Sequence, residues 1–231
     1  MSFDSQRQTA ESSFSMTQAN ALHARLSDDA LEDNVLELTK VWMNERNAPE
    51  LLPYRKQLVD FLIERIEDQA GLVMDHMSSN LENKFISMLF QTEMERIRYL
   101  IKSYLRTRLH KIEKYTLELL RRPDYQELMS AQEIAYARRY QELLETYNHD
   151  SFLHHLPPTQ HKQDEMHGDL NMVVTANLEA PVFCRVLDDV GVHQWMVNDT
   201  EESTEMDKGG TYIIRYRAIK ELLQEGRVQL I

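Results

Sequence analysis

Cysteine is nearly absent from this sequence, because Cys184 is the only one among 231 residues. A single cysteine cannot form a disulfide within the chain or supply a thiolate metal cluster, so a reducing compartment is expected. The sequence also lacks the GxxxxGK[ST] phosphate loop, the GxSxG elbow of serine hydrolases and a GxGxxG motif after a strand. These absences predict a protein that is not an enzyme, and nothing in the sequence indicates a cofactor.

Long apolar runs are missing as well. No stretch reaches the roughly 18 uninterrupted apolar residues of a membrane-spanning helix. The first residues, MSFDSQRQTAESSFSMTQ, have neither the basic start nor the apolar run of a secretion signal. A nuclear or cytoplasmic protein is therefore expected.

Positive charge is scarce outside one segment. The net charge of -12 argues against general binding of nucleic acid, which depends on neutralising phosphates. Residues 96–114 are the exception, because they contain seven basic residues and one acid, Glu113. This asymmetry predicts a local basic surface on an acidic body, which suits either an acidic protein partner or a phosphate backbone.

Residues 85–120 contain no Pro or Gly, and their apolar side chains recur at spacings of three and four. This pattern predicts one long helix, which follows a turn at 78–80 and continues to Arg122-Pro123. On a helical projection these side chains cover roughly half of the circumference, a wider stripe than one neighbouring helix needs. The stripe is therefore expected to pack against several helices or against another chain. Arg108 projects into its middle, where a guanidinium needs carboxylate or carbonyl partners.

Three further helices are predicted in the first two thirds of the chain. One starts near Leu31 and ends before Ala48-Pro49, because a residue that precedes proline avoids the helical region. Another covers about 54–77, and a third begins at Ser130, which can form a capping box with Glu133. This last helix carries Ile134, Ala137, Tyr140, Leu144 and Tyr147.

The composition changes after Leu153. Residues 154–170 combine Pro157-Pro158 with polar residues and no periodicity, which predicts a linker. Short strands are predicted at NMVVTANL, PVFCRVLDD, VHQWMVN and TYIIRYR, followed by a helix at AIKELLQ and a last strand at RVQLI. The predicted fold is mostly α with a small β domain: a disordered tail at 1–27, a helical bundle at 28–153, the linker at 154–170 and a β-rich domain at 171–231.

The types of side chain present allow two other functions, a metal site and a nucleic-acid-binding module. Histidines and carboxylates gather near the linker, but without an HExxH helix pair, and a solvated linker is favoured over a metal site. These potential ligands are His149, Asp150, His154, His155, His161, Asp164, Glu165 and His167.

A helical nucleic-acid-binding module could use Arg98, Lys102 and Arg106, but only Tyr99 is available there for base stacking. A solvated face with an ion pair between Glu95 and Arg98 is favoured.

The corner around Pro49 allows two interpretations. In the favoured one, Trp42 is buried, Arg46 pairs with an acid and Pro49 ends the helix. In the other, the corner contacts another subunit. The residues concerned are Trp42, Glu45, Arg46, Pro49 and Leu51.

Four blocks together resemble one known family. They are WMNERNAPELLPY at 42–54, EMERIRYLIKSYLRTRLHKIEKY at 93–115, SFLHHLPP at 151–158 and IIRYRAIKELLQEGRVQLI at 213–231. In this order they resemble the fourth, Sld-type subunit of the eukaryotic GINS DNA replication complex. The resemblance covers about residues 31–231, whereas the tail and residues 199–208 match no part of it.

The resemblance implies a non-catalytic subunit of a nuclear heterotetramer, with a helical A domain followed by a β-rich B domain. GINS joins the MCM hexamer and a RecJ-like partner in the active replicative helicase, and it tethers polymerases to the fork. In some relatives an N-terminal acidic and hydrophobic peptide binds an adaptor that links helicase to polymerase. The nearest candidate here is Asp28, Asp29 and Leu31, although an ordinary acidic helix start is the favoured interpretation.

The resemblance also leads to candidate interface residues. They are Arg96, Tyr104, Arg108 and Ile112 on the long helix, and Tyr212, Tyr216, Leu230 and Ile231 near the C-terminus. The alternative is that the apolar stripe serves only the chain's own core. The last strand is expected either to lie within its domain or to join a neighbour's sheet edge. Deleting residues 172–231 is expected to leave a soluble helical domain that no longer assembles.

Overall fold

The computed structural model describes residues 29–76, 81–157, 161, 166–167, 170–197 and 200–231. The helices of the N-terminal part are α1 (Asp29–Asn47), α2 (Lys56–His76), α3 (Leu81–Arg121), α4 (Tyr125–Leu128) and α5 (Ala131–Ser151), with one 3-10 turn at Leu153–His155. The predicted tail and the turn predicted at 78–80 lie outside the described residues.

Local sequence signals account for the helix ends. Helix α1 ends at Asn47, directly before Ala48-Pro49, as predicted. Helix α5 begins after Ser130, whose side chain accepts a hydrogen bond from the Glu133 backbone N–H while the Glu133 carboxylate accepts one from the Ser130 N–H. The predicted capping box is therefore confirmed.

Helix α3 has nearly the predicted bounds, but it is not regular throughout. Tyr115 has φ -116° and ψ 22°, outside the helical region. The Thr116 hydroxyl donates to the carbonyl oxygens of Ile112 and Glu113 at 2.6 and 3.1 Å. These bonds satisfy carbonyl groups next to the kink, which is how a helix tolerates such an interruption.

The described residues of the C-terminal part form seven short strands and one helix. They are β1 (Met166–His167), β2 (Leu170–Asn171), β3 (Pro181–Val186), β4 (Gly191–Val197), β5 (Thr200–Met206), β6 (Thr211–Arg215), α6 (Tyr216–Gln224) and β7 (Val228–Leu230). The strand order in the largest sheet is β6-β3-β7, and β1-β2 and β4-β5 form two-stranded pairs, all antiparallel. The predicted class, a helical bundle followed by a small β region, is confirmed.

Three strand predictions need correction. NMVVTANL contributes only Asn171 to a strand, since both edges of β3 are already paired with β6 and β7. Thr200–Met206, which is rich in Glu and was not predicted, forms β5 because it pairs along its whole length with β4. The predicted linker contains β1 and the first residue of β2.

The chain forms two compact units, and each unit is made of two separate segments of the sequence. In the described part, the first unit contains residues 29–39 and 57–101, and the second contains 40–56 and 102–231. The first unit has buried apolar residues on α1, α2 and α3, such as Leu38, Leu62 and Ile97.

The second unit has two apolar clusters. One lies among the helices and includes Leu51, Ile112 and Ala137. The other lies between the three-stranded sheet and α6. Ala48, next to Pro49, belongs to this β cluster, and Leu52 packs against it. The corner around Pro49 therefore packs against the β region. Deletion of residues 172–231 would therefore uncover apolar surface on the remaining helices.

Candidate subunit interface

A buried arginine holds the second unit together. Arg108 is 0% exposed. Its Nε and Nη2 atoms donate to the Glu133 carboxylate at 2.7 and 3.2 Å, and Nη1 donates to Glu45 at 3.1 Å. The remaining donors reach the carbonyl oxygens of Leu52 at 2.6 Å and Leu128 at 2.8 Å. All N–H groups of the guanidinium are thus used, and the predicted need of Arg108 for carboxylates or carbonyls is confirmed.

Aromatic rings complete the environment of Arg108. Its guanidinium carbon lies 5.2 Å from the Tyr54 ring centroid and 5.6 Å from that of Tyr104. The two rings are nearly parallel, with an interplanar angle of 10°. Cation-π attraction of this kind strengthens when water is excluded.

Lys111 extends the network along α3. Its ammonium group donates to the Glu45 carboxylate at 2.8 Å, to the Glu45 carbonyl oxygen and to the Glu50 carbonyl oxygen at 2.7 Å. Burial lowers the pKa of Lys111, and the Glu45 carboxylate opposes that shift. Two buried cations therefore face two buried carboxylates, Glu45 and Glu133, so the cluster is electrically balanced.

The β region binds to the opposite side of the same corner. The Tyr216 hydroxyl donates to the Glu50 carboxylate at 2.8 Å, and the Lys220 ammonium lies 2.7 Å from it. Burial raises the pKa of Tyr216, and the Glu50 carboxylate adds to the shift. The Leu230 N–H donates to Asn44 Oδ1 at 2.8 Å, which covers the free edge of β7. The last strand therefore lies within its own unit.

Five of the predicted interface residues are fully buried in this chain. A side chain without exposed surface cannot contact another chain in this conformation, so their burial supports the alternative that they serve the chain's own core. They are Tyr104, Arg108, Ile112, Tyr216 and Leu230, each 0% exposed.

The other predicted interface residues keep some surface and stay predictions. Arg96 is exposed and forms an ion pair with Glu93. Tyr212 is partly buried, with its hydroxyl accepting a hydrogen bond from the Asp207 N–H at 3.1 Å, and Ile231 is 43% exposed.

The candidate adaptor peptide has little support from the structure. Asp28 lies outside the described residues, and Asp29 begins α1. Leu31 is buried, with 7% exposure, and so offers almost no surface to a partner. The interpretation as an acidic helix start remains favoured.

Helix α5 carries a partly exposed stripe that the sequence did not predict, in which Tyr140 is half-buried and Tyr136 is 38% exposed. Tyr136, Tyr140, Leu143 and Tyr147 recur at spacings of four and three, so they share one side of the helix. Leu143 and Tyr147 are 67% and 68% exposed. We call these four residues the tyrosine stripe. Aromatic residues at helical spacing on an open face are typical of surfaces that bind another helix.

Contacts at its N-terminal end fix the stripe in place. The Tyr136 hydroxyl donates to the Glu113 carboxylate of α3 at 2.6 Å, and this bond raises the pKa of Tyr136. The Tyr136 and Tyr140 rings are stacked, with centroids 6.3 Å apart. An ordered aromatic surface loses little conformational entropy when it binds.

The basic face of α3 is partly neutralised by local contacts. Arg98 forms an ion pair with Glu95 at 2.6 Å, which confirms the predicted pairing. Arg106 donates to the Lys102 carbonyl oxygen at 3.3 Å, and Tyr99 is 63% exposed. These contacts fit a solvated face better than a nucleic-acid site.

The corner residues also serve the chain itself. Glu45 and Leu51 are buried, with 1% and 3% exposure. The Arg46 guanidinium carbon lies 5.9 Å from the Trp42 ring centroid, so Arg46 stacks on the tryptophan. Within the described part of the chain it forms no ion pair with an acid, unlike the prediction.

The histidines near the linker bind backbone carbonyl oxygens. A ring nitrogen of His154 lies 2.8 Å from the His149 carbonyl oxygen, and one of His161 lies 2.9 Å from that of Leu156. Among the described residues, no group of three or more His, Cys, Asp or Glu side chains has the arrangement of a metal site. Asp164 and Glu165 lie outside those residues.

The Tyr104 hydroxyl allows a test of the buried network by pH. Burial raises the pKa of Tyr104 to about 12, and the Arg108 guanidinium opposes the shift. The resulting stability is fully present below the unfolded pKa of 10 and is lost as pH rises towards 12. Between these values Tyr104→Phe should remove a pH slope of about 1.4 kcal/mol per pH unit from the unfolding free energy. Denaturant unfolding of both proteins between pH 8 and 11 measures this, and parallel pH profiles would contradict it.

None of the helices in the described ranges has a stretch long and apolar enough to cross a membrane.

The fold defines a helical-bundle protein with a C-terminal β region, which carries the tyrosine stripe on one of its helices. Residues 15–152 match the family model described as the GINS complex protein helical bundle domain, and residues 177–231 match that of the DNA replication complex GINS protein SLD5 C-terminus. The chain belongs to the GINS SLD5 family.

Relatives from distant eukaryotes agree with this assignment. The DNA replication complex GINS protein sld5 of Schizosaccharomyces pombe is 34% identical over 87% of this chain and 93% of its own length. The GINS protein SLD5 of Chaetomium globosum is 36% identical over 84% of this chain and 89% of its own. That of Rattus norvegicus is 32% identical over 94% of this chain and all of its own length.

Proposed function

We propose that this protein is a non-catalytic structural subunit of a heterotetrameric GINS complex that acts in DNA replication. The observation that carries the proposal is the match of SLD5 family models to both parts of the chain. Relatives named as GINS proteins, matched over most of their lengths, support it further. The matched ranges, 15–152 and 177–231, also support a helical A domain followed by a B domain, whose proposed bounds are 28–153 and 171–231.

The buried network suits a structural subunit. Arg108 and Lys111 join α1, the corner and α5, while Glu50 and Asn44 bind the β region. These contacts hold the corner from two sides.

In the proposed complex, the tyrosine stripe binds a helix of another GINS subunit. Obligate interfaces are rich in apolar and aromatic residues, and tyrosine is common among their energetically dominant positions. The stripe combines both properties on one exposed helix face.

The wider role follows from the family resemblance. The assembled complex joins the MCM hexamer and a RecJ-like partner in the nucleus, stabilises the active helicase and links it to polymerases, in part through an adaptor. The chain meets DNA only indirectly, in agreement with its net charge of -12 and with the paired arginine on α3.

Assembly can be tested by co-expressing the full chain with the three other GINS subunits of its organism, followed by size-exclusion chromatography. The wild-type chain should elute with all three partners. Leu143→Glu should lower its recovery in the complex at least about tenfold, because a charge would enter an apolar contact. Glu142→Gln, one residue away and also exposed, should assemble normally. Equal recovery of Leu143→Glu would contradict the role of the stripe, and no complex with the wild-type chain would contradict the proposed function.

A further inference from the structure

The first unit contains a groove between α1 and α3. Its volume is about 460 Å³, and both helices contribute apolar side chains to its lining. These side chains are Leu31, Val35, Leu36, Phe90 and Ile97. Leu31, Val35 and Ile97 form a buried floor, whereas Leu36 is 59% exposed and Phe90 is half-buried. An exposed leucine beside an apolar floor is typical of a surface that another segment covers.

A buried amide also lines the groove. Gln69 of α2 is 7% exposed, and among the described residues its side chain has no hydrogen-bond partner. Buried polar side chains are nearly always hydrogen-bonded. A peptide segment in the groove would offer backbone N–H and carbonyl groups to the Gln69 amide, which can both donate and accept. The groove therefore suits a polypeptide better than a purely apolar ligand.

The N-terminal part of the chain enters α1 beside this groove. Helix α1 begins at Asp29, and Leu31 and Glu32 in its first turn already line the groove. Leu36 follows Asp29 by seven helical residues, which is roughly 10 Å. An extended chain spans up to roughly 3.5 Å per residue, so seven residues before Asp29 are long enough to return to Leu36. Chain length therefore allows the preceding segment to lie along α1.

Residues 15–28 have the composition that such an occupant needs. The matched helical-bundle family model begins at residue 15, so this segment belongs to the matched domain although α1 begins only at Asp29. Its apolar residues recur at spacings of three and four, as in segments that bind in a groove between helices. They are Met16, Ala19, Leu22 and Leu26. Arg25 supplies a positive charge for Glu32, which has no ion pair with any described residue.

We infer that residues 15–28 of the same chain bind in this groove, with Leu22 and Leu26 against its apolar floor. The inference goes beyond the proposed function and does not rest on it, because the contact lies within one chain. Burial of the two leucines, together with Leu36, supplies the affinity. Attachment to α1 gives the segment an effective concentration on the order of millimolar, so even a weak contact is occupied.

Other occupants fit the groove less well. A segment of a separate molecule loses translational and rotational freedom when it binds, a loss that the attached segment largely avoids. A second copy of this chain would also compete with the attached segment for the same side chains. Nucleic acid would meet the negative charge of Glu32 at the rim.

Disulfide formation in the full chain tests the inference, because its own Cys184 is buried. Leu22→Cys with Leu36→Cys places one thiol in the segment and one at the groove. Leu22→Cys with Glu37→Cys is the matched control, because Glu37 is the next residue of α1 and is also exposed, but does not line the groove. Both variants are oxidised with copper-phenanthroline, and the migration of this chain on a non-reducing gel gives the rate. This readout is the same whether or not the four-chain complex has formed.

The inference predicts that the Leu22 and Leu36 pair forms its disulfide within the chain at least about tenfold faster than the control pair, because binding holds the two thiols together. Adding Leu26→Glu should slow the reaction of the Leu36 pair to the control rate, since a carboxylate opposes burial against the apolar floor. Equal rates for the two pairs, or no effect of Leu26→Glu, would overturn the inference. A disulfide between two chains in place of the one within the chain would show a second copy's segment in the groove and overturn the choice of occupant. Failure of the wild-type chain to join the other GINS subunits would contradict only the proposed function.

Discussion

Replacement of Arg108 by methionine is expected to destabilise the chain by about 3 to 5 kcal/mol. Methionine can fill much of the space of the arginine stem, so the main cost is electrostatic. Glu45 and Glu133 would lose their bonds to the guanidinium, and two buried carbonyl oxygens would lose their donors. Lys111 would still face Glu45, but Glu133 would keep no buried cation.

Urea unfolding of the full chain, followed by circular dichroism, measures this effect. The matched control is Arg98→Met, which removes an arginine from the same helix and breaks only a solvent-exposed pair with Glu95. The control should cost less than about 1 kcal/mol. An Arg108→Met protein within that same range would show that the buried network contributes little to stability.

Tyr216→Ala should be nearly as damaging, at about 3 to 5 kcal/mol, because it empties a fully buried site and leaves Glu50 without one of its donors. Tyr216→Phe keeps the ring and loses only the hydroxyl. It should cost about 1 to 2 kcal/mol, since Lys220 still pairs with Glu50. The difference between the two variants separates packing from hydrogen bonding at the corner.

Thermal unfolding with near-ultraviolet circular dichroism can follow both Tyr216 variants. Tyr212→Phe is the control, because its hydroxyl accepts one bond from the Asp207 N–H near the surface. It should stay within about 1 kcal/mol of the wild-type chain. Equal losses for Tyr216→Ala and Tyr216→Phe would mean that the ring contributes nothing to holding the β region against the corner.

Signals that act within a few residues were predictable from the sequence. Ser130 and Glu133 are three residues apart, so their capping box could be recognised directly. Proline at position 49 fixed the end of α1. Arg108 lies within an apolar stripe, and a guanidinium in such a stripe needs carboxylate or carbonyl partners whichever surface the stripe packs against. This need was therefore predictable.

The partners themselves were not predictable. Glu45 is 63 residues from Arg108, and Glu50 is 166 residues from Tyr216. No local pattern connects such pairs, and Glu133 was assigned only its capping role although it also binds Arg108. For the same reason the sequence could not tell a stripe buried within the chain from one that contacts another chain.

The exposure of individual side chains could not be predicted from the sequence. The helical pattern lists Ala137 and Tyr147 together without telling them apart, yet Ala137 is 0% and Tyr147 68% exposed. Near the end of α5 the apolar face has turned away from the core of the unit. Similarly, β5 has few of the residues that favour strands, and its pairing with β4 outweighs that composition.

The central claim is that this chain is one obligate member of a four-chain complex. Native mass spectrometry of the complex purified through a tag on this chain, after co-expression with the three other GINS subunits, tests it most directly. The account predicts a single species whose mass equals one copy of each of the four chains. A tagged chain recovered alone as a stable monomer, with the three partners in the unbound fraction, would contradict it.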